Sequence, residues 1–344
     1  MIARSAERAN LSAGTLSGCP SFPSRSTVTR SPGPIVSLAI LMVAFHHAPA
    51  SAQIVESVGN RALGMGGAFV AVADDSTATW WNPAGHAAGP WFDVTLGWAT
   101  TDIENDQPPE RHDEAAWVAV ATPPIGFSYY HLRIAETGQF RTIAADAAGR
   151  EDRRAAVPDW SLSASQLGAT LVHTLVSDLH VGTTLKYVRA SESSGLTDAH
   201  NGFDMDLGGL FLKGPIRVGG VVRNVLAAEL GAVSLPRQAR MGVAFDASRV
   251  SSRNVLVAFD ADVDAYDTAY GGRRVIAIGA EGWALGRRVG MRAGARFNTV
   301  GLEEQAYTVG ASVAVRSGIF VDGHGVFGGA DDESGWGIGA RVTF

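Results

Sequence analysis

Gly64-Met65-Gly66-Gly67 is the first stretch of this sequence where residue types and spacing could do chemistry, since a glycine-rich turn can cradle phosphate on its backbone N–H groups. Such a cradle needs a strand before it and a full helix after it, and neither pattern flanks these glycines. Asp74-Asp75 offers hard oxygen ligands of the kind calcium takes. Two adjacent carboxylates without further spaced acids suit the start of a short helix better, so Asp75 or Ser76 is expected to cap one. The seven histidines from His86 to His324 contain no pair at metal spacing and no His-Glu-x-x-His. No serine lies in a Gly-x-Ser-x-Gly elbow. The one cysteine, Cys19, follows Leu16-Ser17-Gly18 like a lipoprotein acylation box, but residues 1 to 15 lack the apolar helix that such a box requires. No catalytic residue, metal or cofactor is therefore expected.

What remains is charge placed at every second position. Asp204 and Asp206 alternate with Phe203, Met205 and Leu207; Asp260, Asp262 and Asp264 oppose Val255, Val257, Phe259 and Val263. Arg292 and Arg296 share a face with Gly290, Gly294 and Asn298, while Val289, Met291, Ala293, Ala295 and Phe297 take the other. One face of each segment suits hydrocarbon and the other suits water. A charge facing lipid at the bilayer midplane costs about 2 to 4 kcal/mol. Asp204, Asp206, Asp260, Asp262, Arg292 and Arg296 are therefore expected to face a polar lumen, where they could hold an internal segment by ion pairs.

The elements that would position these charges are short alternating strands from residue 91 onward. The alternation predicts fourteen: 91–101, 114–122, 125–137, 160–176, 179–190, 202–213, 215–227, 239–247, 254–264, 273–285, 288–299, 306–316, 318–328 and 335–344. Short links such as Pro123-Pro124, Ser177-Asp178 and Gly214-Pro215 alternate with longer ones such as 138–159 and 228–238. Alternation of short turns and long loops belongs to a transmembrane barrel, and nothing in a soluble sandwich calls for it. The fold class expected is all-β: a fourteen-stranded antiparallel transmembrane barrel over 91–344. Its last strand places Trp336, Ile338, Ala340, Val342 and Phe344 on one face. Trp336, Val342 and the terminal Phe344 resemble the signal by which the outer-membrane assembly machinery recognises its clients.

The other bulk features agree. Ile35 to Phe45 is an eleven-residue apolar run, followed by Ala50-Ser51-Ala52 with the small-x-small form that signal peptidase reads. Eleven helical residues cover only about half of a roughly 30 Å hydrocarbon core, so a Sec-type signal peptide over 1–52, cleaved after Ala52, is expected rather than a membrane anchor. The chain has 344 residues, 41 of them glycine, and 18% charged residues, which excludes a disordered tail and a coiled coil. Residues 1–52 carry +3 of a total of −6, leaving −9 on the remainder and no electrostatic footprint for nucleic acid.

Residues 53–90 are unlike the strands and are expected to form a small plug: a tight turn at Gly64, Gly66 and Gly67, a short helical hairpin, and a break at Asn82 enforced by Pro83. Three pieces carry a resemblance here. They are Arg61-Ala62-Leu63-Gly64-Met65-Gly66-Gly67-Ala68-Phe69, then Ala73-Asp74-Asp75, then Trp81-Asn82-Pro83-Ala84-Gly85. Together they resemble the amino-terminal signature of the FadL-like outer-membrane superfamily, in particular the branch that includes PorV. The resemblance implies a fourteen-stranded barrel in the outer membrane with the Asn-Pro-Ala element in an internal hatch. It also implies passive transport of a small hydrophobic or amphipathic compound, which would leave sideways into the surrounding lipid after the plug shifts. The alternative that it implies is a PorV-like barrel docking secretion-system proteins without transport. Long external loops that build a hydrophobic capture site in FadL members are missing; the link Thr101-Asp102-Ile103-Glu104-Asn105-Asp106 is short and polar.

Overall fold

Strict alternation of apolar and polar or small residues builds one continuous wall. The computed structural model describes residues 57–103, 110–137, 140–141, 155–156, 160–193, 199–230, 233–268, 271–301, 304–328 and 333–344. The expected signal peptide, its cleavage site and Cys19 lie outside the described residues. Fourteen strands close into an antiparallel barrel in sequence order. They are β1 (Asp93–Ile103), β2 (Glu110–Thr122), β3 (Ile125–Thr137), β4 (Trp160–Val176), β5 (Leu179–Glu192), β6 (Ala199–Lys213), β7 (Ile216–Arg223), β8 (Gln238–Asp246), β9 (Val255–Asp262), β10 (Val275–Ala284), β11 (Val289–Asn298), β12 (Gln305–Arg316), β13 (Ile319–Gly328) and β14 (Glu333–Thr343). Closure is made by β1 against β14, from Asp93 opposite Thr343 to Ile103 opposite Glu333. Phe92 and Phe344 finish the seam with reciprocal backbone hydrogen bonds and stacked rings 6.4 Å apart. A closed sheet leaves no unpaired edge, the condition for crossing hydrocarbon with strands.

Outward positions carry Leu96, Phe127, Leu167, Leu185, Phe245, Val257, Met291, Val309 and Ile338, all exposed. The expected strands match with two larger departures. β2 begins at Glu110 rather than 114, because the ladder with β3 continues to Glu110 opposite Thr137. β7 stops at Arg223 rather than 227. Asn224 turns to φ 53°, and its N–H goes to the Asp206 carboxylate, 2.9 Å away, instead of a neighbouring strand.

The segment 57–90 lies inside the wall and is almost wholly buried. It contains two single-turn helices, α1 (Asn60–Leu63) and α2 (Ala78–Trp81), and a 3-10 turn over Pro83–Ala88. These do not form the helical hairpin expected from sequence, because the backbone is stopped early at both places. Gly66 and Gly67 adopt φ 68° and 81°, and Asn82, held extended ahead of Pro83, ends α2. Met65, Phe69 and Trp81 are completely buried, and each such side chain stabilises the packed state by roughly 1.5–3 kcal/mol.

Candidate functional site

The barrel interior is built as two regions of opposite chemistry. The end bearing the short turns holds a chain of alternating charges. Arg217 donates to Asp246 at 3.1 Å and to Asp74 at 3.1 Å. Asp74 in turn pairs with Arg61 at 2.5 Å, and Arg61 grips Glu281 through two nitrogens at 2.7 and 2.9 Å. Glu281 also accepts from Arg292 Nε at 2.6 Å, and Asp322 faces both Arg292 and Arg341 at 3.9 and 3.7 Å. Four acids and four arginines therefore run in alternation, with Arg61 and Asp74 from the plug and the others from the wall. Burial alone would raise the Asp74 carboxyl, yet Arg61 and Arg217 hold it below its ordinary value. This alternation of charge locks the plug, because removing a buried member leaves its neighbours uncompensated.

Backbone contacts extend the lock. Phe69 N–H and Val70 N–H both donate to Asp260, at 2.7 and 2.8 Å. Asn82 donates to Val70 O at 2.9 Å and to Gly209 O of β6 at 3.0 Å, while its own oxygen accepts from Ala84 N–H at 3.2 Å. Arg223 donates to Trp80 O at the end of α2 and lies over the Trp81 ring. The wall meets the plug backbone with glycine. A Cβ at Gly182 or Gly208 would overlap Ala84 N or Asn82 Oδ1, one at Gly219 would overlap Val70 O, and one at Gly294 would overlap Met65. His86 fits against Gly126 in the same way and bonds Thr79 Oγ1 at 3.0 Å; burial pushes its imidazole down to about 4.

The inner face of β2–β5 is the second region. Trp117, Tyr130, Leu132, Ile134, Leu162 and Val188 point inward and pack in one apolar cluster with Trp80 of the plug and with Leu230 and Leu235 of the loop after β7. Trp80 meets Tyr130 edge to face at 5.2 Å. A barrel lumen is ordinarily polar, so this packed apolar cluster is the exception that calls for a function. On the outside of the same strands lies an apolar recess of about 600 Å³, bordered by Phe127, Leu167, Leu185, Phe203 and Leu226.

The residues singled out from sequence separate into distinct tasks. Gly64, Gly66 and Gly67 form the turn packed on β10–β12, with Gly64 against Gly310 and Gly66 against Ala295. Asp75 accepts from Thr77 N–H at 3.0 Å just ahead of α2, and Asp74 belongs to the charge chain. Among the described residues no group of histidines or acids has metal-site geometry. Asn82, Pro83 and Ala84 touch β5 and β6. All six expected lumen charges lie on inward positions, but only Asp260 touches the plug directly, and Arg292 reaches it through Glu281. Asp204 and Asp206 instead hold the loop after β7, Asp262 pairs with Arg240 at 2.6 Å, and Arg296 pairs with Glu333 near the long-loop end. Trp336 packs edge to face on Trp98, Val342 opposes Ile319, and Phe344 closes the seam. Sequence reasoning missed Glu281, Arg61, Arg217 and Arg223. Glu281 carried a usable signal, as the one acid on the inward face of an otherwise apolar strand.

No known family model matches this sequence, and no curated protein does. Solved structures match over nearly their whole length. The CymD monoaromatic hydrocarbon channel is 15% identical, with 85% of this chain and 99% of that one covered and a TM-score of 0.62. A Pseudomonas aeruginosa FadL homologue is 10% identical over 84% and 98%, with a TM-score of 0.58. The Pseudomonas putida toluene transporter TodX is 14% identical over 85% and 98%, with a TM-score of 0.54. Identities this low speak to architecture. In fold, the present chain is a fourteen-stranded antiparallel β-barrel similar to that of these channels.

Proposed function

We propose that this chain is a passive conduit that carries a small, uncharged, apolar or weakly amphipathic molecule across the outer membrane and releases it sideways through the barrel wall into lipid. The observation that carries this reading is the apolar cluster on the inner face of β2–β5, backed by an apolar recess on the outer face of the same strands. A conduit for ions, sugars or water has no use for a lining of Trp117, Tyr130, Ile134 and Leu162, whereas an apolar cargo gains roughly 25 cal/mol for each Å² it buries against such a lining. The charge chain beneath it closes the straight route to the far end, which leaves the wall as the exit. Matching architectures in channels named for toluene and monoaromatic hydrocarbons favour cargo of that size.

Uptake of radiolabelled toluene by cells that carry this barrel, against cells that lack it, is the test. Faster uptake is expected from the barrel, and equal rates would overturn the reading. A second reading, a docking barrel similar to PorV, draws support from the tight fit of plug backbone on wall glycines, which suits a static lumen. Co-purification of a stoichiometric secretion-system polypeptide with no uptake would favour it.

A further inference from the structure

The short turns of the barrel divide into two arcs. Those between β2 and β3 and between β4 and β5 read Pro123-Pro124 and Ser177-Asp178 and carry no cation. The next four, in order from β6–β7 to β12–β13, carry Lys213, then Arg249 with Arg253, then Arg287 with Arg288, then Arg316. All of these cations are exposed. Two have a protein partner: Arg249 reaches Asp246 at 3.7 Å, and Arg287 leans back over the Trp283 ring at 5.1 Å. Asp246 is itself buried and already held by Arg217. Among the described residues, Lys213, Arg253, Arg288 and Arg316 have no acid within ion-pair reach.

Apolar side chains are interleaved with these charges. Val250 follows Arg249, Leu285 stands two residues before Arg287, and Val315 precedes Arg316; they are 62%, 74% and 71% exposed. An exposed valine or leucine beside a cation suits the boundary between hydrocarbon and headgroups. There the apolar residue reaches the acyl chains, while a long basic side chain carries its charge out to the phosphates. A transmembrane barrel brings its turns to this boundary, because the strands cross the hydrocarbon and the turns emerge at its face. A partner dissolved in water would account for the cations but not for the apolar residues set among them.

We propose that the four turns from β6–β7 to β12–β13 form a binding arc for anionic phospholipid headgroups, in the leaflet that the short turns face. Guanidinium groups offer phosphate paired N–H donors. An anionic bilayer surface attracts each lysine or arginine close to it, and salt screens that attraction. The chain beyond residue 52 carries −9, so the body as a whole repels anionic lipid. A preference of the barrel for anionic over zwitterionic lipid is therefore a signature of the arc rather than of net charge. The arc lies on the outside of the barrel, and the proposal is independent of what the lumen carries.

The test is lipid retention. The barrel in detergent is mixed with equal amounts of dioleoyl-phosphatidylglycerol and dioleoyl-phosphatidylethanolamine, and native mass spectrometry counts the lipids that stay bound. Phosphatidylglycerol should be retained in several-fold excess, and the excess should shrink as ammonium acetate is raised. The triple variant Arg253→Gln, Arg288→Gln and Arg316→Gln should lose the excess, whereas lysine at the same three positions should keep it. Heat-modifiable gel migration selects folded barrels of each variant before the comparison. Equal retention of the two lipids by the unmodified barrel would overturn the proposal. An excess that survives the glutamine variant would overturn its placement on this arc, and an excess lost in the lysine variant would overturn charge as its cause. An acidic polypeptide that co-purifies with the unmodified barrel, is lost from the glutamine variant and leaves no lipid preference behind would make the arc a protein interface instead.

Discussion

The two halves of this lumen solve the same problem, filling a barrel, by opposite means. At the short-turn end, β7–β14 and the plug are joined by alternating arginines and acids, each holding its neighbour through directional contacts. On the inner face of β2–β5, aromatic and aliphatic side chains fill the space with no directional bond among them. A charge chain is stiff because displacing one member leaves several uncompensated. An apolar cluster is permissive because its contacts are weak one by one and are replaceable by a molecule of similar chemistry. The difference teaches where motion is cheap: in the apolar half rather than in the ionic one.

Breaking the ionic half should have the largest effect. Glu281→Ala leaves Arg61 and Arg292 facing each other at the centre of the chain, and loss of a buried partner of this kind costs about 3–5 kcal/mol. We expect residues 57–90 to lose hydrogen-exchange protection and planar-bilayer conductance to rise. Arg292→Ala should follow in the same direction, since it removes the other grip on Glu281.

Steric pressure comes next. Gly208→Ala drives a methyl group onto Asn82, an overpacking worth about 1–3 kcal/mol, and should loosen the plug in the same assay. Gly220→Ala, on the adjoining strand with open space around its Cβ, should change stability by no more than about 0.5 kcal/mol. Equal effects from the two would show that the glycines do not set the fit.

Acid should separate the plug more gently. His86 titrates near 4 when docked against an ordinary 6.5, so the docked state binds fewer protons than the released one. Docking is then fully stable above about pH 6.5 and weakens as pH falls toward 4, by about 1 kcal/mol at pH 5.5. Exchange protection of 57–90 measured across that window should show the slope, and His86→Gln should flatten it. Arg296→Ala is expected to do least to the plug, because its partner Glu333 lies near the opposite end; a partly exposed pair contributes about 1 kcal/mol or less. A conductance change in Arg296→Ala as large as that in Arg292→Ala would erase the distinction between the halves.

What the sequence made legible follows from what is local in it. Alternation is written residue by residue, so β3 and β4 appear with their borders intact, and so does the inward placement of Asp260 and Arg292. Asn82-Pro83 was legible as a break because the restriction before proline is also local. The partners were not. Nothing near Glu281 names Arg61, 220 positions away, and nothing near Gly208 announces that Asn82 will press on it, although an inward glycine in a strand is a known mark of close approach. The end of β7 was the least legible part. Val225 and Leu226 extend the alternation of β7 convincingly, and only the positive φ at Asn224, which asparagine tolerates better than most residues, turns the chain out of the sheet.

The central claim is that the apolar half of the lumen is a passage for apolar cargo. Native mass spectrometry of the barrel, extracted gently from its own outer membrane and stripped of detergent in the gas phase, tests that most directly. A retained species of hydrocarbon or acyl-lipid mass, lost when Ile134 and Leu162 are replaced by asparagine, is the expected result. A retained polypeptide with no small molecule would contradict it and make the chamber a filled core beneath a docking surface.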